Sequence, residues 1–182
     1  MAVLGNTFFE TRVEQLFDLA QLVEKIFSAA DLEYRVIGGL AVYLYVEDAE
    51  PDAARLTRDI DIVVRRQDLA RIAEAARRFG LEHRHVAGID MLVQTGEASA
   101  RRAVRLVFAS NFTGGRTLHD VRLLSLADLV RMKLISFRAK DDAHLKDLDQ
   151  VGLITPEIEE RFPDVLRERL HQMRIRNSDF SA

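Results

Sequence analysis

Tyr34-Arg35-Val36-Ile37-Gly38-Gly39-Leu40-Ala41-Val42-Tyr43-Leu44-Tyr45-Val46 and, after a short acidic stretch, Thr57-Arg58-Asp59-Ile60-Asp61-Ile62-Val63-Val64 form the part of the sequence whose reading decides the fold. Tyr34 to Ile37 is a short strand-like run entering a glycine pair. Leu40 to Val46 then reads as an apolar helix whose first amides could face an anion. Thr57 to Val64 reads as the next strand. Residues two apart on a strand point to one side, so Asp59 and Asp61 should project together, about 7 Å apart at their Cα atoms, with Ile60, Ile62 and Val64 facing the other way. Two carboxylates placed like this suit a hard divalent cation. The intervening Glu47-Asp48-Ala49-Glu50-Pro51-Asp52 is expected to be a solvated acidic loop.

Working outward, Thr7-Phe8-Phe9-Glu10 has the spacing of a capping box, and Phe9, Val13, Leu16, Ala20, Val23 and Phe27 follow at helical steps. An amphipathic helix laid on a sheet therefore precedes the glycine turn. Beyond Val64, Gln67 or Asp68 opens a helix with Leu69, Ile72, Ala76 and Phe79 on its buried side and Gly80 as its stop. Leu81–Val86, Ile89–Gln94 and Ala103–Ala109 read as strands, and the short Ala87-Gly88 link makes the first two a hairpin, so the sheet should be mixed. Asn111 to Asp120 is expected to be loop, with Gly114-Gly115 a turn.

Ser125-Leu126-Ala127-Asp128 has cap spacing and begins a helix with the stripe Leu126, Val130, Lys133 and Phe137. A lysine in that register either snorkels past the core or points its ammonium into a cleft shared with the sheet. Arg138 to Asp142 interrupts the pattern before a short helix carrying Leu145, Leu148 and Val151. Thr155-Pro156-Glu157 starts a further turn, and Pro163 opens a last helix with Val165, Leu166, Leu170 and Met173.

The 182 residues are 48% hydrophobic, enough for a full core. The expected organisation is one domain over 1–182, with an α/β part at about 1–120 and a helical part at about 121–182. No apolar run is long enough to span a bilayer and no secretory leader opens the chain, so a cytoplasmic protein with no membrane partner is expected. The absence of cysteine excludes disulfides and thiolate metal sites. A net charge of -3 argues against coating nucleic acid through bulk positive charge. His83 and His85 alternate with Glu82 and Arg84 on an edge strand, where exposed polar side chains are ordinary and a zinc pair is not expected.

A carboxylate pair beside a glycine turn is what metal-dependent phosphoryl or nucleotidyl transfer requires. Magnesium keeps several waters, binds one or two protein carboxylates and takes its other ligands from substrate phosphates. Positioning and electrostatic stabilisation do the rest, and the Gly38 and Gly39 amides, Arg58 and Lys133 could supply them.

Taken in order, Gly38-Gly39, Thr57-Arg58-Asp59-Ile60-Asp61, Arg131-Met132-Lys133-Leu134, and Arg138-Ala139-Lys140-Asp141 with Asp147 beyond resemble the DNA polymerase beta-like nucleotidyltransferase superfamily. Within it, the match is most similar to the nucleotidyltransferases of the AbiE-type abortive-infection toxin group. The resemblance covers residues 34–152. It implies a mixed sheet flanked by helices, with a helical C-terminal part (an α/β fold in the α+β sense). It also implies a nucleoside triphosphate (NTP) as donor and two magnesium ions (Mg2+) held by three carboxylates. The nucleoside monophosphate would pass to an RNA, protein or small-molecule hydroxyl, and a toxin would have a cognate antitoxin.

By the same resemblance, Asp59 and Asp61 are the first two metal ligands, and Gly38 and Gly39, with Thr57 and Arg58, approach the phosphates. Lys133 contacts the nucleotide or the reacting phosphates, the cleft reading of that lysine. Lys140, Asp141 and Asp147 complete the motif on the helical side. His144 lies inside it, either lining the cleft or on the helix surface. Two departures stand out. Gly39 replaces the serine usual after the first glycine. The third carboxylate is expected on a strand next to Asp59–Val64, and the best candidate strand, Ala103–Phe108, has Arg105 as its polar position. A cation there repels a metal. Asp90, within the other late strands, could substitute as a ligand, although an ordinary edge-strand or turn carboxylate is the weightier reading of it. The alternative reading is a catalytically impaired member acting as a nucleotide-binding or regulatory partner.

Overall fold

The computed structural model describes residues 3–55, 57, 59–96 and 103–178, with side chains described between 13 and 177. The first helix, α1 (Val3–Ala29), already begins at Val3, so the Thr7–Glu10 spacing lies within it and does not start it. Leu16, Ala20, Val23 and Phe27 are buried at the expected helical steps, joined by Ile26. There follow β1 (Arg35–Ile37), α2 (Gly38–Ala49), a 3-10 turn at Pro51–Ala53, β2 (Ile60–Val64), α3 (Leu69–Arg78), β3 (Leu81–Val86), β4 (Ile89–Gln94), β5 (Val104–Phe108), β6 (Gly114–Leu118) and β7 (Val121–Leu124). Helices α4 (Leu126–Ser136), α5 (Ala139–Gln150), α6 (Pro156–Glu159) and α7 (Asp164–Ser178) complete the described chain.

Among the described residues the strands form one seven-stranded sheet in the order β3-β4-β5-β2-β1-β7-β6. It is mixed: β2 runs parallel to β5 and β1 parallel to β7, while the β1/β2, β3/β4, β4/β5 and β6/β7 pairs are antiparallel. The hairpin β3–β4 turns at Ala87-Gly88, both with positive φ (51° and 78°), the twist a two-residue hairpin favours. Central β2 is buried on both faces, with Ile60, Ile62, Val63 and Val64 all in the core. That burial accounts for its near-continuous apolar run. No helix of the described residues is long and apolar enough to cross a membrane.

Three stretches differ from the sequence reading. Glu47 and Asp48 continue α2 instead of lying in a loop. The structure gives them partners: Tyr43 Oη donates to Glu47 at 2.9 Å, His119 Nε2 lies 3.0 Å from Glu47, and Arg116 pairs with Asp48. Gly114 and Gly115 lie in strand β6, and the turn falls at His119-Asp120, both with positive φ. A Cβ on Gly114 would sit 2.8 Å from Arg35 Nη2, and one on Gly115 would overlap Tyr45 Oη and lie 2.5 Å from the Leu124 carbonyl oxygen. The glycine pair therefore marks close backbone approach within a sheet. The interruption after α4 is short: Phe137 alone adopts a left-handed conformation (φ 45°, ψ 41°), and α5 starts at Ala139 because the Arg138 N–H donates to Asp141 Oδ2 at 3.3 Å. In α7, Leu166, Leu170 and Met173 are buried as expected, but Val165 is 62% exposed.

Tyr45 Oη donates to the Leu124 carbonyl at 2.8 Å, so that oxygen and the hydroxyl together define the space above Gly115. Gly115→Ala should lower stability by about 1–3 kcal/mol through overpacking, measured by urea unfolding. The same substitution in a Tyr45→Phe background should cost less, since one of the two clashing groups is gone.

Candidate active site

Sheet register assembles the first half of the site. Asp61 in β2 is flanked by Ile37 of β1 on one side and Arg105 of β5 on the other. Ile37 leads directly into Gly38, whose φ is +70° and whose added Cβ would overlap Asp61 Oδ2. Glycine is thus required at 38 both by backbone conformation and by the carboxylate packed on it. A Cβ on Gly39 would likewise overlap Thr57 Oγ1. Helix α2 begins here with Ile37 at its N-cap position, which offers no side-chain cap hydrogen bond.

Asp59 lies just before β2 and not within it, a correction to the strand boundary read from sequence. It nevertheless projects with Asp61, because one guanidinium reaches both: Arg105 Nε is 2.9 Å from Asp61 Oδ1 and Nη2 is 3.8 Å from Asp59 Oδ2. Lys140 Nζ approaches the same Asp59 oxygen at 3.7 Å. The Asp61–Arg105 contact is an ion pair without an aligned hydrogen bond, and Asp61 Oδ1 is a buried oxygen with no hydrogen-bond partner. Burial pushes the Asp61 carboxyl above the usual carboxylate range against the pull of Arg105, and the neighbouring Asp59 charge adds to the rise.

The second half comes from α4 and α5. Lys133 is only 5% exposed, and its ammonium lies 2.8 Å from His144 Nδ1 and 3.6 Å from Asp141 Oδ1. Burial pushes the lysine pKa down, while Asp141 and Asp61 oppose the shift. An ammonium that feels Asp61 across the layer points into the cleft and does not snorkel outward. Asp141 has two tasks, accepting the Arg138 N–H at the start of α5 and facing Lys133. His144 is pushed down to about 4 by burial and by the charges of Lys133 and Lys140, so at neutral pH it is an uncharged acceptor for Lys133. Sequence reasoning left His144 open between cleft and surface; its distance from Lys133 in the chain carried no signal of their contact. Asp147 is buried and sits 3.3 Å from Arg55 Nε, where it ties α5 to the segment leading to Thr57. Burial pushes its carboxyl up and Arg55 opposes the shift. Nothing in the sequence pointed to Arg55. Arg58 lies outside the described residues.

Asp90 does not join this group. Cross-strand partners share a face and chain neighbours do not. Asp61 pairs with Arg105 and Arg105 with Met91, so Asp90, the partner of Leu106, points to the opposite face of the sheet. There it is buried beside His83 Nε2 (2.8 Å), His85 Nδ1 (3.1 Å) and Arg66 Nη1 (3.7 Å). Burial alone would raise its pKa, but the two imidazoles outweigh that and hold it below the usual range. Asp90 is therefore a structural anchor for the edge strand and not a substitute metal ligand. Among the described residues no group of three or more His, Asp or Glu side chains is arranged around one metal position.

The family described as "Nucleotidyltransferase of unknown function (DUF6036)" matches residues 14–158. In fold, the chain is similar to an antigenic nucleotidyltransferase-like protein from Paracoccidioides brasiliensis (TM-score 0.60, 15% identity, 92% of this chain and 91% of that one). It is also similar to the antibiotic-resistance factor ANT(2'')-Ia in solution (TM-score 0.50, 10% identity, 89% and 83%). No curated protein sequence matches it.

The neutral His144 has a measurable consequence. Its native pKa of about 4 lies below its usual 6.5, so between those values the unfolded chain binds a proton that the native chain does not. Stability should fall as pH drops through that window. In a histidine-resolved NMR titration the His144 ring should remain unprotonated to about pH 4, and Lys133→Met should raise that midpoint by removing the adjacent positive charge. A wild-type midpoint at the ordinary value would contradict the geometry.

Proposed function

The chain belongs to the family of nucleotidyltransferases of unknown function, and from that premise we propose that it is a cytoplasmic, magnesium-dependent enzyme transferring a nucleoside monophosphate from an NTP to a hydroxyl acceptor. The observation that carries this reading is the Asp61 carboxylate seated on Gly38, beside Asp59, with one buried oxygen left without a hydrogen bond. A hard cation whose other ligands are water and substrate phosphate would take the two carboxylates in exchange for the Arg105 guanidinium, whose Nε lies 2.9 Å from that oxygen. Asp59 and Asp61 would hold that ion, which supplies charge neutralisation on the triphosphate when bound.

The chain's own groups then divide the work. The amides at the start of α2, at Gly38 and Gly39, receive phosphate oxygens, with the Thr57 hydroxyl beside them. Lys133, aimed by His144 and Asp141, and Lys140 and Arg58 stabilise the charge that spreads over the phosphate oxygens in transfer. The acceptor oxygen attacks the α-phosphorus, the bond from that phosphorus to its bridging oxygen breaks, and pyrophosphate leaves with the electron pair. The acceptor proton is lost to solvent past Asp59, the more exposed carboxylate. Asp147 acts indirectly, by fixing Arg55 and the segment before Asp59. We read residues 1–182 as one domain in which sheet and helical layer each supply half of the site.

The ordered motifs favour RNA, protein or a small-molecule hydroxyl as acceptor and a toxin of the AbiE type with a cognate antitoxin. A second reading, a nucleotide-binding partner with impaired catalysis, is favoured by Arg105, which sits against both carboxylates. Incubation of the protein with each α-labelled NTP, Mg2+ and pools of RNA, protein and hydroxylated small molecules separates the two. Label transfer with pyrophosphate release is expected, and Asp61→Asn or Asp59→Asn should reduce it by about 100-fold or more. Nucleotide binding without any transfer would favour the second reading, and transfer undiminished in both variants would remove the assigned roles.

A further inference from the structure

We propose that the chain forms a two-fold dimer in which β3 of one protomer pairs antiparallel with β3 of a second copy, joining the two sheets into one. Among the described residues β3 is one edge of the sheet. It pairs residue for residue with β4, from Leu81↔Gln94 to Val86↔Ile89, without a bulge or a proline. The opposite edge, β6, carries a register shift between Gly114 and Thr117. An irregular edge resists further pairing, whereas a regular one presents a row of unused backbone donors and acceptors. The cleft takes no part in this contact, since β4 and β5 separate β3 from the Asp61 strand.

Hydrogen-bond parity and charge together select one register. The Thr95 N–H donates to the Gly80 carbonyl at 2.9 Å, directly beyond the Leu81↔Gln94 pair. Bonded and non-bonded pairs alternate along an antiparallel ladder, so 82, 84 and 86 are turned to β4 while Leu81, His83 and His85 present N–H and C=O outward. A second copy must therefore set odd positions against odd ones. Centred on 82, the pairing would put Glu82 against the partner's Glu82; centred on 84, it would put Arg84 against the partner's Arg84. Like charges directly opposite are destabilising. Centred on His83, it puts Glu82 against the partner's Arg84 and Arg84 against the partner's Glu82. Both are non-hydrogen-bonded positions, where facing side chains come closest. Within each copy Arg84 Nε donates to Glu82 Oε1 at 2.7 Å, so the four groups close into a ring of alternating charge. At the strand end Val86, 56% exposed, arrives opposite the partner's Gly80, where nothing lies within 4 Å of an added Cβ. An exposed apolar side chain thus meets open space.

Sedimentation velocity of the full chain over a concentration series should show monomers giving way to dimers. In a two-fold interface each single charge reversal alters two cross-strand pairs. Glu82→Arg and Arg84→Glu should therefore each raise the dimer dissociation constant roughly tenfold or more. Mixing these two variants in equal amounts should restore dimers, because every charge again faces its opposite, and so should both reversals in one chain. Hydrogen exchange reads the register directly. In wild type the amides of Leu81, His83 and His85 should slow with rising concentration, while those of Glu82, Arg84 and Val86, already turned to β4, should not change. A wild-type chain that stays monomeric, dimers indifferent to the single reversals, or dimers without protection at Leu81, His83 and His85 would each overturn the β3 pairing. Single variants of native circular dichroism that fail to recover on mixing would do the same.

Discussion

The pairing of Asp61 with Arg105 across β2 and β5 is the interaction on which the rest of the site depends. Strand β2 is otherwise core, with Ile60, Ile62, Val63 and Val64 buried around its one carboxylate. A charged group on such a strand is tolerated only when other charges face it. The sheet order supplies those charges and their geometry together. It sets β5 on one side with its guanidinium, and β1 on the other, delivering a glycine that lets the backbone come against the carboxylate. Residues 37, 61 and 105 are far apart in sequence but adjacent across three strands.

The same logic extends over the cleft. Asp61 faces Arg105, Asp59 faces Arg105 and Lys140, Asp141 faces Lys133, and Asp147 faces Arg55. These pairs join different elements, β2 to β5, the β2 entry to α5, α4 to α5, and α5 to the segment after the 3-10 turn. The cleft is therefore balanced before any ligand arrives, and an incoming polyanion exchanges partners with groups already in place. Reorganisation of that kind is small, which is the condition under which charged side chains stabilise developing charge well.

Much of this arrangement was legible in the residues. The helix–strand alternation, the β3–β4 hairpin and the mixed sheet follow from periodicity and turn chemistry, while the placing of the Arg105 strand beside Asp61 follows from the superfamily resemblance, with the apolar run only marking Arg105 as its polar position. The misses have a common cause, which is that they depend on register between strands or on tertiary partners. Asp90 looked like a spare ligand until pairing placed it one residue out of phase with Met91 and so on the other face. Gly114-Gly115 looked like a turn because glycine in a strand is explained only by what lies above it, here Arg35 and Tyr45. Glu47 and Asp48 are solvent-facing as the charge run implies, but they lie in α2 and not in a loop, and their partners, His119 and Arg116, are on a hairpin distant in the chain.

Phe137 carries a consequence for how the lysine motif is inherited. Seven residues of unbroken helix would set Lys133 and Lys140 two turns apart, about 10.5 Å along one axis. The left-handed residue between them breaks that axis, so one lysine reaches Asp141 and His144 while the other reaches Asp59. Phenylalanine is an unusual occupant of such a conformation, and it is held there from outside the motif. The guanidinium groups of Arg169 and Arg176 on α7 lie 5.6 and 5.4 Å from its ring, and Arg169 also donates to the Leu134 and Ile135 carbonyls at the end of α4. The metric of the motif is thus stored in a helix downstream of it. Grafted as a linear segment onto another scaffold, residues 131–147 would carry the right letters without the right spacing, and drift in α7 would be constrained by a site it never touches.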